Sequence, residues 1–288
     1  MLRRKVVSNL KTLEYQKIVD TVADLCMKAN MHLNNDVLTA FQTSYDNEES
    51  EVGKEVLEKL IENAKIASEE EVAMCQDTGV AVCFVEVGQD LVITGGELEK
   101  AIEEGIRKGY QEGYLRKSMC HPFTRKNTGD NTPPVIHTRV VPGDNLKITV
   151  APKGGGSENM SALKMLTPAQ GKKGVVDFVV KTVEEAGPNP CPPIVVGVGI
   201  GGNFERCALL AKKSLLRPLD KENSDPELRE MEKEILQKIN NLGIGPQGFG
   251  GRTTALAVHI EMEPCHIASL PVAVNITCHA ASHAEAVL

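Results

Sequence analysis

The chain has 288 residues and a formal net charge of −7, because 32 Lys and Arg residues stand against 39 Asp and Glu residues. Only 3% of the residues are aromatic and none is Trp, so the chain lacks the basic surface and the stacking rings that nucleic-acid binding uses. It has no apolar run of about 18 residues and no apolar segment after the basic start MLRRK, which predicts a cytoplasmic protein with neither a membrane helix nor a signal peptide.

Helices dominate the first part of the predicted fold, residues 1–68. Apolar residues recur there at helical spacing, first around Ile18 and again around Leu57. Beyond this region, short runs rich in β-branched residues alternate with helical segments. The sequence therefore predicts a mixed α/β (α+β) fold, with a helical N-terminal region followed by a mixed β-sheet with packed helices. We expect one domain over residues 1–288.

Later elements follow from the same patterns. The predicted strands cover residues 80–87, 135–141, 146–151, 194–200, 254–261 and 272–277. The predicted helices cover residues 95–114, 173–186, 204–216 and 225–241, and a further helix begins near Ser161. The helix at 225–241 has the clearest start, because Asp225 is a good N-cap and Pro226 suits the first turn. A PGDN turn separates the second and third strands.

The eight cysteines show no CxxC spacing, which excludes zinc-ribbon and ferredoxin-type sites. A disulfide framework is also not expected in a cytoplasmic chain. A free cysteine is by default a small buried hydrophobe, and Cys26 and Cys207 in helical segments fit that interpretation. Cys75, Cys191 and Cys278 do not, because they lie in polar or proline-rich segments.

Two glycine-rich segments could bind anions. GVGIGG at 197–202 is similar to a dinucleotide fingerprint but has the wrong glycine order and no acidic residue at the expected distance, so it favours tight packing of a strand against a helix. KGGGSEN at 153–159 has three consecutive glycines, which predict close approach of the backbone to another group. Its free N–H groups favour a carboxylate ligand, with a flexible hairpin as the alternative.

Several polar residues are candidates for chemistry. CQDTG at 75–79 presents a thiol, an amide, a carboxylate and a hydroxyl together, although Asp-Thr-Gly is also good turn chemistry. Arg116 and the segment 127–131 are further candidates, each of which alone is more typical of a solvated loop. His266 is a ready proton carrier at neutral pH, but a lone histidine beside a strand usually has a structural role.

Six segments together resemble one known family. In chain order they are CQDTG at 75–79, YLRKS at 114–118, NTGDNTP at 127–133, KGGGSENMS at 153–161, CPP at 191–193 and NITCH at 275–279. They resemble the iron–sulfur hydro-lyases, which comprise class I fumarate hydratase and L-tartrate dehydratase. The resemblance is to the N-terminal domain or α subunit and extends from about Glu70 to the end of the chain.

The resemblance implies a set of site residues. The ligands of a 4Fe-4S cluster with one open iron position would be Cys75, Cys191 and Cys278. Asp77 and His266 would be the catalytic residues. The substrate-binding residues would be Gln76, Asp77, Arg116, Gly154, Ser157, Glu158, Asn159, Met160, Ser161, Ala162 and Leu163.

The resemblance also implies the reaction and the partners. We expect reversible hydration of fumarate to malate, as in the tricarboxylic acid cycle, with dehydration of L-tartrate as the runner-up. A redox or iron-sensing cluster protein and a cofactor-free assembly subunit are the alternatives from other classes. Because the chain stops ten residues after Cys278, we expect a separate β subunit, a hetero-oligomer built on a homodimer of α, and a small dicarboxylate as substrate.

Overall fold

The computed structural model describes residues 10–280 and 282–288. The basic start MLRRK, in which we expect no signal peptide, lies outside the described residues. The chain divides into two compact units, one comprising Met1–His32, Glu71–Lys153 and Ser282–Leu288, the other comprising Leu33–Glu70 and Gly154–Ala281. Both units combine helices with strands, so the predicted mixed α/β fold is confirmed. Within the described residues, none of the helices has the length and apolarity that crossing a bilayer requires.

The described elements follow one another in this order: β1 (Lys11–Glu14), α1 (Tyr15–Met31), α2 (Asn35–Asn47), α3 (Glu51–Glu70), β2 (Val80–Gly88), β3 (Leu91–Thr94), α4 (Leu98–Glu112), β4 (Val135–Val141), β5 (Leu146–Lys153), α5 (Gly155–Glu158), β6 (Ala162–Leu166), α6 (Gly171–Ala186), β7 (Ile194–Gly202), α7 (Phe204–Ser214), α8 (Pro226–Asn240), β8 (Ala255–Cys265), β9 (Leu270–Thr277) and β10 (Ala284–Val287).

The first unit is built on a four-stranded sheet in the order β10-β5-β2-β4. β2 lies between β4 and β5, parallel to the former and antiparallel to the latter, so the two strands joined by the PGDN turn do not pair with each other. Helices α1 and α4 pack closely because Gly105 and Gly109 present no side chain. A Cβ on Gly105 would lie 2.6 Å from Cβ of Val22, and one on Gly109 2.6 Å from the carbonyl oxygen of Ala23.

The second unit is built on a four-stranded sheet in the order β6-β9-β7-β8. Successive residues of β7 face opposite sides of the sheet, as in any β-strand. Val196 and Val198 enter a core with the buried residues of α6 and α8, whereas Gly197 and Gly199 face α7. A Cβ on Gly199 would lie 2.0 Å from the carbonyl oxygen of Cys207. The glycines of GVGIGG therefore allow a helix to pack on the strand.

The structure corrects one predicted element. The helix expected from Ser161 is absent among the described residues, and the same segment forms the strand β6, which pairs antiparallel with β9. A short apolar run such as ALKML is compatible with the residue spacing of a helix or of a strand. Its conformation is therefore decided by the strand with which it pairs. The predicted helical region 1–68 divides between the units, because α1 belongs to the first and α2 and α3 to the second. The helix from Asp225 is confirmed, with the Asp225 carboxylate accepting from the N–H groups of Glu227 and Leu228.

Candidate active site

The CQDTG segment of the first unit is a structured turn that leads into β2. The Cys75 sulfur accepts a hydrogen bond from the backbone N–H of Asp77 at 3.4 Å, and the Asp77 carboxylate accepts one from Gly79 N–H at 3.2 Å. Gly79 has a φ of 72°, and a Cβ there would lie 2.6 Å from the backbone of Lys153. Only glycine fits this position without strain. The turn thereby presents Cys75 and Asp77 half-buried and Gln76 exposed.

A second motif is tied directly to this turn. The Thr78 hydroxyl donates to the carbonyl oxygen of Arg116 at 2.9 Å, so YLRKS lies beside CQDTG within the first unit. The buried Tyr110 hydroxyl, at the end of α4, donates to the carbonyl oxygens of Thr78 and Gly79 at 2.6 and 3.1 Å. The Arg116 side chain is exposed, and it makes no ion pair with any described residue. Its guanidinium is therefore available to a carboxylate.

The NTGDN segment is hydrogen-bonded to both the CQDTG and the YLRKS segments. Buried Asn131 donates from its amide to the carbonyl oxygen of Gly79 at 3.1 Å, and its amide oxygen accepts from the N–H groups of Ser118 and Met119. Burial raises the pKa of Asp130, but hydrogen bonds from Thr132 and Arg107 outweigh it and lower that pKa to about 2. Three of the six motifs therefore meet in the first unit through hydrogen bonds of their own residues.

The KGGGSEN segment is not a flexible hairpin, because its residues Gly155–Glu158 form a single helical turn, α5, in the second unit. Ser157 is buried, whereas Gly154 is half-buried. The Glu158 carboxylate pairs with the Lys212 ammonium at 2.7 Å, and Asn275 on β9 donates to the same carboxylate at 2.8 Å. Glu158 thereby links α5 to α7 and β9.

The remaining predicted substrate residues take different positions. The Ser161 hydroxyl accepts from the N–H of Ile276 at 3.1 Å. Ala162 and Leu163 lie on β6 and pair with residues of β9, and Met160 packs against the core of the second unit. Asn159 is exposed. Of the stretch 157–163, Asn159 is thus the side chain most open to a ligand.

The loops that carry Cys191 and Cys278 meet in the second unit. His279, which follows Cys278, donates from its backbone N–H to the carbonyl oxygen of Cys191 at 3.4 Å, and its ring Nδ1 lies 3.1 Å from that oxygen. Cys191 is exposed and has a φ of 56°, a left-handed backbone that is rare for residues other than glycine. Burial lowers the pKa of His279, which favours its neutral ring.

Gln247 also joins these loops, although no motif in the sequence points to this residue. Its backbone N–H and its side-chain amide both donate to the carbonyl oxygen of Pro192 at 2.7 Å. The same amide nitrogen lies 3.0 Å from Nδ1 of His279. The one available signal was its place in the glycine-dense segment LGIGPQGFGG, which indicates a loop of unusual backbone but no particular partner.

A buried carboxylate fixes the same glycine-rich loop from its other end. Glu48, between α2 and α3, accepts from the N–H groups of Arg252 and Thr253 and from those of Glu49 and Ser50, at 2.9 to 3.1 Å. Burial raises its pKa, but these hydrogen bonds dominate and lower it below the ordinary value. Glu48 therefore stays ionised inside the second unit.

His266 lies at the other end of β9 from Cys278. It occupies the exposed turn between β8 and β9, and its Nδ1 accepts from the N–H of Ala268 at 3.1 Å. The eight residues of β9 span roughly 25 Å at the rise of a strand. Within the second unit, therefore, the structure does not bring His266 to the Cys191 and Cys278 loops.

The cysteines differ sharply in their chemistry. Burial raises the pKa of Cys26 and Cys207 and raises that of Cys83 to about 12, so these three thiols stay protonated and make poor metal ligands. None of the eight cysteines forms a disulfide. Within residues 10–280 and 282–288, no three His, Cys, Asp or Glu side chains are gathered as a ready metal site. Cys75 belongs to the first unit, and Cys191 and Cys278 belong to the second.

Comparison with known proteins places the chain in a family. The family described as "Fumarate hydratase (Fumerase)" matches residues 19–287. A protein of Methanocaldococcus jannaschii named "Putative L(+)-tartrate dehydratase subunit alpha" is 46% identical over 272 residues, which cover 92% of this chain and 95% of that protein. Two Escherichia coli proteins named "L(+)-tartrate dehydratase subunit alpha" are 33% and 32% identical over 268 residues, covering 92% of this chain and 88% of each.

The chain belongs to the fumarate hydratase (Fumerase) family, and it is an α-type member of it. The match includes all six motifs, and it confirms both the predicted family and the α-subunit type. It also identifies the activity class as that of a hydro-lyase, an enzyme that adds or removes water.

Proposed function

We propose that the chain is the α subunit of an iron–sulfur hydro-lyase that acts on a four-carbon hydroxy-dicarboxylate. In this proposal Cys75, Cys191 and Cys278 hold a 4Fe-4S cluster. The observation that carries it is the meeting of the Cys191 and Cys278 loops through His279 in a chain of this family.

The donor set suits such a cluster. The proposed ligands are the exposed Cys191 and the half-buried Cys75 and Cys278, whereas three other thiols are held protonated by burial. An N–H group already points at the Cys75 sulfur, which is the kind of contact a thiolate ligand accepts. The left-handed backbone of Cys191 supports a functional role, since strained residues cluster at active sites.

When bound, a cluster with three protein ligands would supply a Lewis-acidic iron for the substrate hydroxyl and one carboxylate. The exposed Arg116 guanidinium would bind a carboxylate of the substrate with its two-pronged donor geometry. Asp77, two residues after Cys75, would move the proton next to the carboxylate or orient the group that does, and Gln76 would contact the substrate. Gly154 and the stretch 157–163 would line the substrate, with Asn159 offering the exposed amide.

The catalytic role of His266 stays a prediction. Because Nδ1 accepts from Ala268 N–H, the neutral ring carries its proton on Nε2, and that nitrogen could donate to a ligand. Replacing His266 with Gln removes proton transfer but keeps a polar side chain. If the role is correct, this variant lowers kcat strongly and leaves iron content unchanged.

The names of the relatives favour L(+)-tartrate as the substrate. Fumarate and malate, which we expected from the sequence, are the second candidate, supported by the description of the matching family. The two reactions differ by one hydroxyl on the substrate. Anaerobic reconstitution with iron and sulfide, followed by assays with L(+)-tartrate, malate and fumarate, tests the choice. Higher kcat/KM for L(+)-tartrate supports the first candidate, and higher kcat/KM for malate and fumarate supports the second.

We also propose a β subunit as the partner, since the relatives are named as α subunits. A hetero-oligomer built on a homodimer of α and a place in the tricarboxylic acid cycle stay predictions, as does a cytoplasmic location. Co-expression of the chain with a candidate β subunit should yield a complex whose mass gives the subunit ratio. Iron binding without hydro-lyase activity in that complex would favour a redox or iron-sensing protein, and absence of iron would favour an assembly subunit.

A further inference from the structure

We infer that Gln247 is a positioning residue that holds the Cys191 and Cys278 loops in the arrangement needed for cluster binding. The inference rests on the proposed function, because it assumes that both cysteines are ligands. Gln247 itself offers no thiolate or carboxylate, and its role is exerted through hydrogen bonds to neighbouring loops.

The contacts of Gln247 converge on both loops. Two of its N–H groups, one from the backbone and one from the side chain, donate to the carbonyl oxygen of Pro192, the residue after Cys191. Its amide nitrogen also lies 3.0 Å from Nδ1 of His279, the residue after Cys278. A single side chain thus contacts the residue that follows each of the two predicted ligands.

The backbone of Gln247 argues that this side chain is needed. Its φ is 51°, in the left-handed region, which is unfavourable for residues other than glycine. Five neighbouring glycines, from Gly243 to Gly251, also have positive φ values, so glycine is the residue this loop uses for such conformations. Glutamine at 247 accepts a strain that glycine would avoid, and its side-chain hydrogen bonds offset that strain.

The loop around Gln247 is itself held rigidly. A Cβ on Gly248 would lie 2.3 Å from Cβ of Pro188, so the loop packs directly on the segment that leads to Cys191. At the other end, a Cβ on Gly251 would lie 2.7 Å from Oε1 of Glu48, whose carboxylate accepts from Arg252 and Thr253. Gln247 therefore projects from a loop that is fixed on both sides, which is what a positioning residue requires.

The amide of Gln247 lies where the two loops meet. Its nitrogen donates to the carbonyl oxygen of Pro192 and lies 3.0 Å from Nδ1 of His279, which is itself 3.1 Å from the carbonyl oxygen of Cys191. A glutamate at 247 has the same size but no donor, so it would set a carboxylate oxygen against the carbonyl oxygen of Pro192. The loss of these donors, rather than a change of volume, should loosen both loops.

The test compares Gln247→Gly and Gln247→Glu with the wild-type chain and with Gln237→Ala, a control at an exposed glutamine on α8 of the same unit. Each protein is reconstituted anaerobically with iron and sulfide. We then measure bound iron and sulfide, the rate at which a chelator removes the iron, and the melting temperature of the iron-free protein. Glycine adopts the backbone of residue 247 without strain, so Gln247→Gly should melt within the wild-type range.

Removing a residue that orients metal ligands typically lowers the metal affinity of a site by roughly 10–100-fold. We therefore expect both Gln247 variants to lose iron at least about tenfold faster than wild type, and Gln237→Ala to match wild type. Equal rates in all four proteins would overturn the positioning role while leaving the proposed function intact. A wild-type chain that binds no cluster would overturn both. Faster loss confined to a variant whose iron-free form has a lowered melting temperature would also overturn the role, since unfolding would then explain it.

Discussion

The Thr78 hydroxyl donates to the carbonyl oxygen of Arg116 at 2.9 Å, and this bond joins the turn that carries Cys75 to the segment that carries the predicted carboxylate-binding arginine. Thr78 is 2% exposed, so the bond is shielded from water. Two motifs with 34 residues of sequence between them are thereby held side by side. Their relative position should affect how well Arg116 meets a substrate carboxylate.

Thr78→Val should weaken substrate binding without unfolding the chain. Valine has nearly the shape of threonine, so the variant loses one hydrogen bond worth about 1 kcal/mol and creates no cavity. We expect a KM increase of roughly fivefold with kcat little changed. The control is Thr43→Val on α2, which loses a similar bond from its hydroxyl to the Thr39 carbonyl oxygen within the helix. Equal KM values for the two variants would contradict the proposed link to Arg116.

Replacing Arg116 itself should have a larger effect. Arg116→Ala removes a charge-assisted pair of hydrogen bonds, which we expect to lower kcat/KM by roughly 10–100-fold, chiefly through KM. Arg116→Lys keeps the positive charge but loses the paired donors of the guanidinium. Its kcat/KM should therefore lie between those of wild type and Arg116→Ala. Arg139→Ala, at an exposed position on β4, serves as the matched control. Iron content should be unchanged in all three variants, and unchanged kinetics in Arg116→Ala would remove Arg116 from the site.

Glu48→Gln should destabilise the second unit. The buried carboxylate accepts from four backbone N–H groups, and a glutamine amide would turn an N–H group toward at least one of these donors. We expect a loss of roughly 2–4 kcal/mol in the free energy of unfolding, measured by urea titration at pH 7. Glu49→Gln, at the exposed neighbouring residue, should change that free energy by less than about 0.5 kcal/mol. A similar loss in both variants would mean that the buried hydrogen bonds are not its source.

His259 should make stability depend on pH. This histidine is 3% exposed, and burial, aided by the charge of Arg217, lowers its pKa to about 4. Below the unfolded-state pKa of about 6.5, the His259 ring is protonated in the unfolded chain but neutral in the folded chain, which favours unfolding. The contribution of His259 to the free energy of unfolding is therefore fully present above that pKa. It falls as the pH drops from about 6.5 toward 4. The expected loss between pH 7 and pH 5 is about 2 kcal/mol.

Urea unfolding of wild type and His259→Gln at pH 7 and pH 5 measures this contribution. The glutamine variant lacks the titrating ring, so its free energy of unfolding should change about 2 kcal/mol less between the two pH values than that of wild type. His266→Gln, at an exposed position, provides the matched histidine-to-glutamine control for the substitution itself. An equal pH dependence in wild type and His259→Gln would contradict the assignment.

Local patterns were sufficient to predict much of the fold. The helix from Asp225 has its cap and proline in the sequence itself, and the strands β7 and β9 are rich in Val and Ile. Two features depend on distant partners and could not be predicted. The segment from Ala162 becomes a strand because β9 pairs with it, and β2 lies between β4 and β5 although a turn joins those two strands.

The candidate site shows the same division. The resemblance identified the cysteine, aspartate and arginine motifs because each is a distinctive local run of residues. Gln247 and Glu48 carry no such signal, since their roles come from contacts with backbone groups far away in sequence. Glu48 binds the N–H groups of Arg252 and Thr253, about 200 residues later in the chain. Residues that act on backbone atoms leave no spacing pattern in the sequence.

The most direct test of the central claim is the iron and sulfide content of single cysteine variants after anaerobic reconstitution. Cys75→Ser, Cys191→Ser and Cys278→Ser should each fail to hold a 4Fe-4S cluster and should lack hydro-lyase activity in the presence of the β subunit. Cys265→Ser, at an exposed thiol at the end of β8, should bind as much iron as wild type. Full iron content in any of the first three variants, or loss of the cluster in Cys265→Ser, would contradict the proposed ligand set.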